Sequence, residues 1–245
     1  EPLKKVDVLG KSADIVAAEI IRALGKAPSK GCVLVLQGLS GTGKGTTCAK
    51  LQEKLPRCTS WSNGNGARAA IKPAHPPATV LRLYGPDAHT YLSFCFVLSC
   101  IATVFRSLTL LAVTRCEQSG TPFGPEVLTP PFLAELVNCL SFGKFGPGNT
   151  FDTAIKGYGL DLLVSQCANT TLKDPKVGKN IPTVAKMTQG EVVAFAGKAA
   201  EMMRADGMNV LMEGRAQTLN YVRTPHRFEL TLSDPIIIGY RRAAQ

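Results

Sequence analysis

Apolar residues recur at helical spacing between Ser12 and Gly25: Ile15, Val16, Ala18, Ile20, Ile21 and Leu24 form one stripe. Ser12 is suited to cap the first turn and Gly25 to stop the last, so the pattern predicts a helix over 12–24. Lys26–Gly31 is a polar link. Cys32–Leu36 is unbroken apolar sequence with two valines, as a strand buried on both faces requires. A glycine-rich stretch follows, and Thr46–Leu55 predicts a second helix, ended by Pro56. Thr59–Asn65 reads as a polar loop.

Farther along, Ser107–Cys116 has a helical pattern, and Pro130–Leu140 predicts a helix begun by prolines. Phe142–Val164 alternates and is interrupted by Gly146-Pro147-Gly148-Asn149. Phe151–Ile155 and Leu160–Val164 therefore predict strands of a small antiparallel sheet. Thr188–Ala205 is a strongly amphipathic helix closed by Gly207. Asn209–Met212 and Phe228–Leu232 are short buried strands, and Ile236–Gln245 begins another helix. The order strand, glycine loop, helix, inserted small sheet, helix, strand, strand predicts an α/β fold: a parallel sheet flanked by helices, with an antiparallel side domain.

A chain of 245 residues can bury one full core with a smaller appendage. With 45% apolar and 19% charged residues, the composition argues against global disorder. The net charge of +10 attracts phosphates of any origin. Lys and Arg are scattered, with no block of five or six, which favours a phosphate-rich small molecule over nucleic acid. The eight cysteines include no C-x-x-C and no Cys/His cluster at zinc spacing, and they read as reduced, buried thiols. There is no signal-peptide pattern, and the most apolar stretch, Tyr91–Phe105, is stopped by Arg106, short of the roughly 20 residues of a membrane span. A cytoplasmic monomer with no membrane or nucleic-acid partner is expected. The chain starts at Glu1 without a methionine, which leaves room for a true N-terminus upstream.

The firmest chemical signal is Gly38-Leu39-Ser40-Gly41-Thr42-Gly43-Lys44-Gly45-Thr46, followed by Thr47. A strand feeds a glycine-rich turn that opens a helix, so backbone N–H groups and the helix N-terminus converge on a phosphate. This is the pattern of a phosphate-binding P-loop. Gly38, Gly41, Gly43 and Gly45 allow the tight turn, with Ser40 and Thr42 between them, and Lys44 would bridge the outer phosphates. The strict pattern places Ser or Thr directly after the lysine. Gly45 stands there, so Thr46 takes the magnesium side. Glu213 ends a strand expected beside the loop's own strand, where a carboxylate can hold Mg²⁺ through water; a capping or ion-paired glutamate is the alternative. Arg215 suits a substrate phosphate or base, or is a surface arginine. Arg223, His226 and Arg227 read as a solvated basic loop, with a phosphate contact the alternative, and His75 and His89 receive no role.

The form G-x-S-G-x-G-K-G-T resembles nucleoside monophosphate kinases, and cytidylate kinase in particular. Ser62-Asn63-Gly64 followed by an arginine is similar to that family's "DSG…YR" monophosphate segment. Phe142–Val164 resembles its inserted β-domain, and Val192–Arg215, ending "VLMEGR", its long helix and "GR" strand end. Phe228–Gln245, with Arg241 and Arg242, resembles its next strand and the start of its lid helix. The resemblance implies transfer of the γ-phosphoryl group of ATP, with Mg²⁺, to CMP or dCMP. Lys44 and Arg215 would be catalytic, the loop from Gly38 to Thr47 would hold ATP, and Thr46 and Glu213 would face the magnesium. Ser62, Gly64, Arg106 and Arg215 would hold the monophosphate. Residues 1–31 would be an N-terminal helix and linker, 32–245 the kinase domain, and 117–187 its monophosphate-binding subdomain. Ala216 stands where the family's "GRD" carries an aspartate that helps hold cytosine, and the lid is expected to be truncated at Gln245. The rival readings are another small-metabolite P-loop kinase and a nucleotide-binding protein without turnover.

Residues 66–103 are compositionally foreign, with a proline cluster around His75 and then an apolar run. Removing them joins Asn65 to Val104 and improves the resemblance. The codons possible at Gly66 and Thr103-Val104 fit the GT…AG edges of a retained intron. A genuine insertion and a partner-binding helix are the alternatives.

Overall fold

The computed structural model describes residues 2–62 and 101–234. In chain order the first elements are β1 (Leu3–Asp7), α1 (Ala13–Leu24), β2 (Val33–Gly38), α2 (Lys44–Lys54), β3 (Cys58–Ser62), α3 (Ile101–Ser119) and α4 (Pro130–Asn138). There follow β4 (Leu140–Phe145), β5 (Thr150–Gly157), β6 (Leu160–Leu163), α5 (Val164–Cys167), α6 (Pro175–Met187) and α7 (Gln189–Ala205). The last are β7 (Asn209–Gly214), α8 (Ala216–Leu219) and β8 (Arg227–Thr231). The fold is mixed α/β, with a five-stranded parallel sheet flanked by helices and a separate three-stranded antiparallel sheet. The described residues fall into two compact units: one holds residues 2–62 and 196–234, the other residues 101–195.

In the first unit the strand order is β1-β8-β2-β7-β3. The apolar run of β2 lies at the centre, where a parallel strand is covered on both faces, and Val33–Leu36 are all buried. The stripe of α1 docks as its spacing requires, burying Val16, Ala17, Ile20 and Leu24. Ser12 Oγ accepts from Ile15 N–H, and Gly25 turns the chain at φ 59°. Residues 1–31 do not stand apart as a helix and linker: Val6, Val16 and Ile20 share one buried cluster with Leu34, Leu36, Leu51 and Phe228. Strand β1, which has no distinct sequence signal, is held by its parallel register with β8.

Two further expectations are corrected here. Thr59–Ser62, the described part of the loop expected over 59–65, is not loop but belongs to a strand, Cys58–Ser62, paired in parallel with β7 from Cys58↔Asn209 to Ser62↔Glu213. Its polar composition is tolerated because, among the described residues, it is an edge strand with one neighbour. Arg227 is not in a solvated loop but 7% exposed. Its Nη1 donates to the carbonyls of Val222 (2.7 Å) and Leu219 (3.2 Å), and its Nη2 to those of Leu219 (3.1 Å) and the Gln37 side chain (3.4 Å). The guanidinium fork satisfies carbonyls at the end of α8, which makes burial of the charge tolerable.

In the second unit, β4, β5 and β6 form the anticipated antiparallel meander. Gly146 and Asn149, with φ of 70° and 46°, build the first turn, and Tyr158 and Gly159, at 51° and 76°, the second. The helix expected over 107–116 extends from Ile101, which is 4% exposed, to Ser119. It therefore runs through the 103/104 boundary proposed for the foreign segment; residues 66–100 lie outside the described residues, as do the final helix and the arginines expected at 241 and 242. Helix α6 carries no sequence-based expectation. Asp174 caps it by accepting from Lys176 N–H at 2.8 Å, and Val177 and Val184 bury its narrow apolar face.

Candidate functional site

The turn between β2 and α2 depends on its glycines in different ways. Gly41 and Gly43 adopt left-handed φ of 85° and 81°. A Cβ on Gly38 would stand 2.7 Å from the Leu230 carbonyl oxygen, so close approach to β8 excludes a side chain. Gly45, already in the helix, has open space where a Cβ would be. The turn is laced to Leu39: Thr42 Oγ1 and Lys44 Nζ both donate to its carbonyl at 2.8 Å. Thr46 Oγ1 donates to the Gly43 carbonyl at 2.8 Å. The first main-chain bond of α2 runs from Thr47 N–H to Gly43 at 2.9 Å, and Gly43 supplies no side-chain cap. The amides of Lys44, Gly45 and Thr46 thus lie ahead of the helical ladder, at the positive end of the helix. Thr42 and Thr47 are buried, whereas Ser40 and Thr46 are exposed.

The sheet brings other anticipated residues to the same edge. Glu213 pairs in register with Leu36 of β2 and with Ser62 of β3, so the ends of three neighbouring strands converge beside the glycine turn. In open parallel sheets this carboxyl edge is where ligands bind. Glu213 is half-buried, and its carboxyl is raised above the ordinary range, chiefly by burial. The Lys44 ammonium and a hydrogen bond from the Cys48 thiol act in the opposite direction. Arg215 is exposed one residue beyond β7, at the N-terminal boundary of α8.

Cys48 is the residue the sequence reading undervalued. It was expected only as a buried thiol, and it is 4% exposed. Glu213, whose charge adds to the effect of burial on its thiol, comes from a strand more than 160 positions away. The one available signal is its spacing, since Cys48 is four residues beyond Lys44 and so leaves α2 on the same face.

Arg106, expected to hold the monophosphate, lies on α3 in the second unit and is half-buried; its Nη1 donates to the Leu172 carbonyl at 2.9 Å. Gly64 lies outside the described residues. No group of three or more His, Cys, Asp or Glu side chains among the described residues is arranged around a common point. The Thr46 hydroxyl and the Glu213 carboxylate are hard oxygen donors of the kind that suits Mg²⁺. The Cys48 thiol is held well above its ordinary value, first by burial and then by the Glu213 charge, which leaves it a neutral S–H.

Neither a family model nor a curated protein matches the chain. Among the described residues, no helix is long and apolar enough to cross a membrane.

Proposed function

We propose that this chain is a P-loop phosphotransferase of the nucleoside monophosphate kinase type, which passes the γ-phosphoryl group of ATP to CMP or dCMP. The observation that carries this reading is a glycine turn that opens α2, with Lys44 at its start, at the carboxyl edge of a parallel sheet where the half-buried Glu213 stands in register with β2. The choice of acceptor rests on the resemblance in sequence.

In this reading the amides of Lys44, Gly45 and Thr46 receive the phosphates, and Lys44 exchanges its bond to the Leu39 carbonyl for the outer phosphate oxygens. The Thr46 hydroxyl, which donates to Gly43 and keeps its lone pairs, would face Mg²⁺, and Glu213 would hold it through water. When bound, Mg²⁺ supplies charge neutralisation between the phosphates. Arg215 orients the acceptor through its guanidinium fork. Catalysis is then chiefly positioning and electrostatic stabilisation by groups set in advance.

The test is an ADP-release assay over a panel of nucleoside monophosphates, run on the parent chain and on Lys44→Ala. Turnover that depends on CMP or dCMP and vanishes in the variant is the expected result. Equal turnover in both proteins would remove the P-loop assignment, and turnover confined to other acceptors would remove the cytidylate one.

A further inference from the structure

The segment that carries Arg215 leaves the carboxyl edge of the sheet after β7 and must return to the start of β8. It contains α8, a single turn of four residues. One turn of helix has little stability of its own, and its last carbonyls have no partner within the helix. Water would ordinarily meet them, but Leu219 and Val222 are buried. Arg227, the first residue of β8, supplies the missing donors. Its Nη1 and Nη2 donate to the Leu219 carbonyl at 3.2 and 3.1 Å, and Nη1 to the Val222 carbonyl at 2.7 Å. Nη2 also donates, at 3.4 Å, to the side chain of Gln37, which is 4% exposed and immediately precedes Gly38 of the glycine turn. These acceptors are neutral, so carbonyl dipoles rather than a counter-ion meet the buried charge. Return of the chain to the sheet does not depend on Arg227. Thr224 Oγ1 donates to the Val33 carbonyl at 2.6 Å, and the His226 carbonyl accepts from the Val35 amide at 2.9 Å. What the guanidinium adds is a fixed place for α8. Arg215 stands at the N-terminal boundary of α8, one helical turn before Leu219, so freedom in α8 is freedom in Arg215.

We propose that Arg227 is a positioning residue: by holding the Leu219 and Val222 carbonyls it fixes α8, and through α8 the Arg215 guanidinium that meets the acceptor. The Gln37 contact ties this arm to the strand that feeds the glycine turn. The inference rests on the function proposed above and adds to it the group that sets the acceptor arm against the donor loop. Arg227 itself, buried beneath the segment, touches neither substrate.

The experiment is steady-state kinetics of the full chain, with ATP and CMP varied in turn, beside thermal melts. Arg227→Met removes the donors and keeps the apolar stem. It raises the KM for CMP about tenfold, the scale of one lost bond to a charged group, and leaves the KM for ATP within about twofold of the parent. Arg227→Lys keeps a cation without the fork and falls between the two, and it carries the test if the methionine variant does not fold. In an Arg215→Ala background the same substitutions have no further effect on the KM for CMP, because the group they position is gone. If neither variant folds, or a folded one melts earlier yet keeps the parent's KM for CMP or raises both KM values alike, Arg227 serves stability alone and the inference is overturned. An effect that persists undiminished in the Arg215→Ala background overturns it too. If the parent shows no CMP-dependent turnover, the kinase reading falls, and this inference with it.

Discussion

The two ends of strand β7 make opposite use of a buried polar side chain. At its start, Asn209 is 2% exposed and saturated. Its Oδ1 accepts from the Cys32 amide (3.2 Å) and thiol (3.3 Å), and its Nδ2 donates to the carbonyls of Pro28 (3.0 Å) and Pro56 (2.7 Å). One side chain thus ties together the loops that lead into β2 and β3. At the other end, Glu213 is half-buried, with a carboxyl raised by burial and only partly compensated by Lys44 and Cys48. The amino end of the strand is built for stability. The carboxyl end retains an electrostatic cost that a bound ligand can offset, as functional sites commonly do.

On the function proposed above, the largest expected effect breaks the carboxyl end alone. Lys44→Ala should lower turnover by more than about a hundredfold, since it removes the charge that meets the outer phosphates. Its melting temperature should stay close to the parent's, because the lysine is not part of the buried core cluster. Turnover and melting curves together check this, and a variant that melts early would blur the contrast.

The structural end should fail in the opposite manner. Asn209→Leu leaves the Cys32 amide and two prolyl carbonyls without their buried partner, and should cost about 3 kcal/mol in urea unfolding. The fraction that remains folded should bind ATP as the parent does. An equal loss of affinity per folded molecule would show that the two ends are coupled.

Gly45→Ala separates fold from ligand at a single position. The fold leaves open space for a Cβ there, and alanine is the better helix former by about 1 kcal/mol. The variant should therefore be at least as stable as the parent in denaturant titration, yet bind ATP more weakly if a phosphate must approach the backbone at this point. Unchanged affinity would move the phosphate away from Gly45.

The smallest effect concerns pH. Because the folded-state pKa of Glu213 lies above its unfolded value, the native state binds more protons between the two, and stability declines as pH rises through that window. Glu213→Gln removes the titration. In Mg²⁺-free buffer it should be modestly more stable than the parent at neutral pH, and the advantage should shrink as the pH falls toward the ordinary value of 4.5. Melting curves across that range decide it, and an advantage that grows as the pH falls would reverse the sign assigned to Glu213.

What the sequence determined by itself is the part governed by local periodicity and local backbone demands. The stripe of α1, its cap and stop, the apolar run of β2, the glycine turn and the two hairpin turns of the small sheet each depend on residues within a few positions of one another. The tertiary structure alone decided what depends on a distant partner. Strand β3 is a strand because β7 lies alongside it, and its own polar residues indicated a loop. Arg227 is buried because carbonyls of Leu219 and Val222 converge on it; its sequence neighbours His226 and Arg223 suggested a solvated surface. Periodicity records which face of an element is buried, but not which element covers it. Register and side-chain pairing are therefore settled only when the sheet assembles.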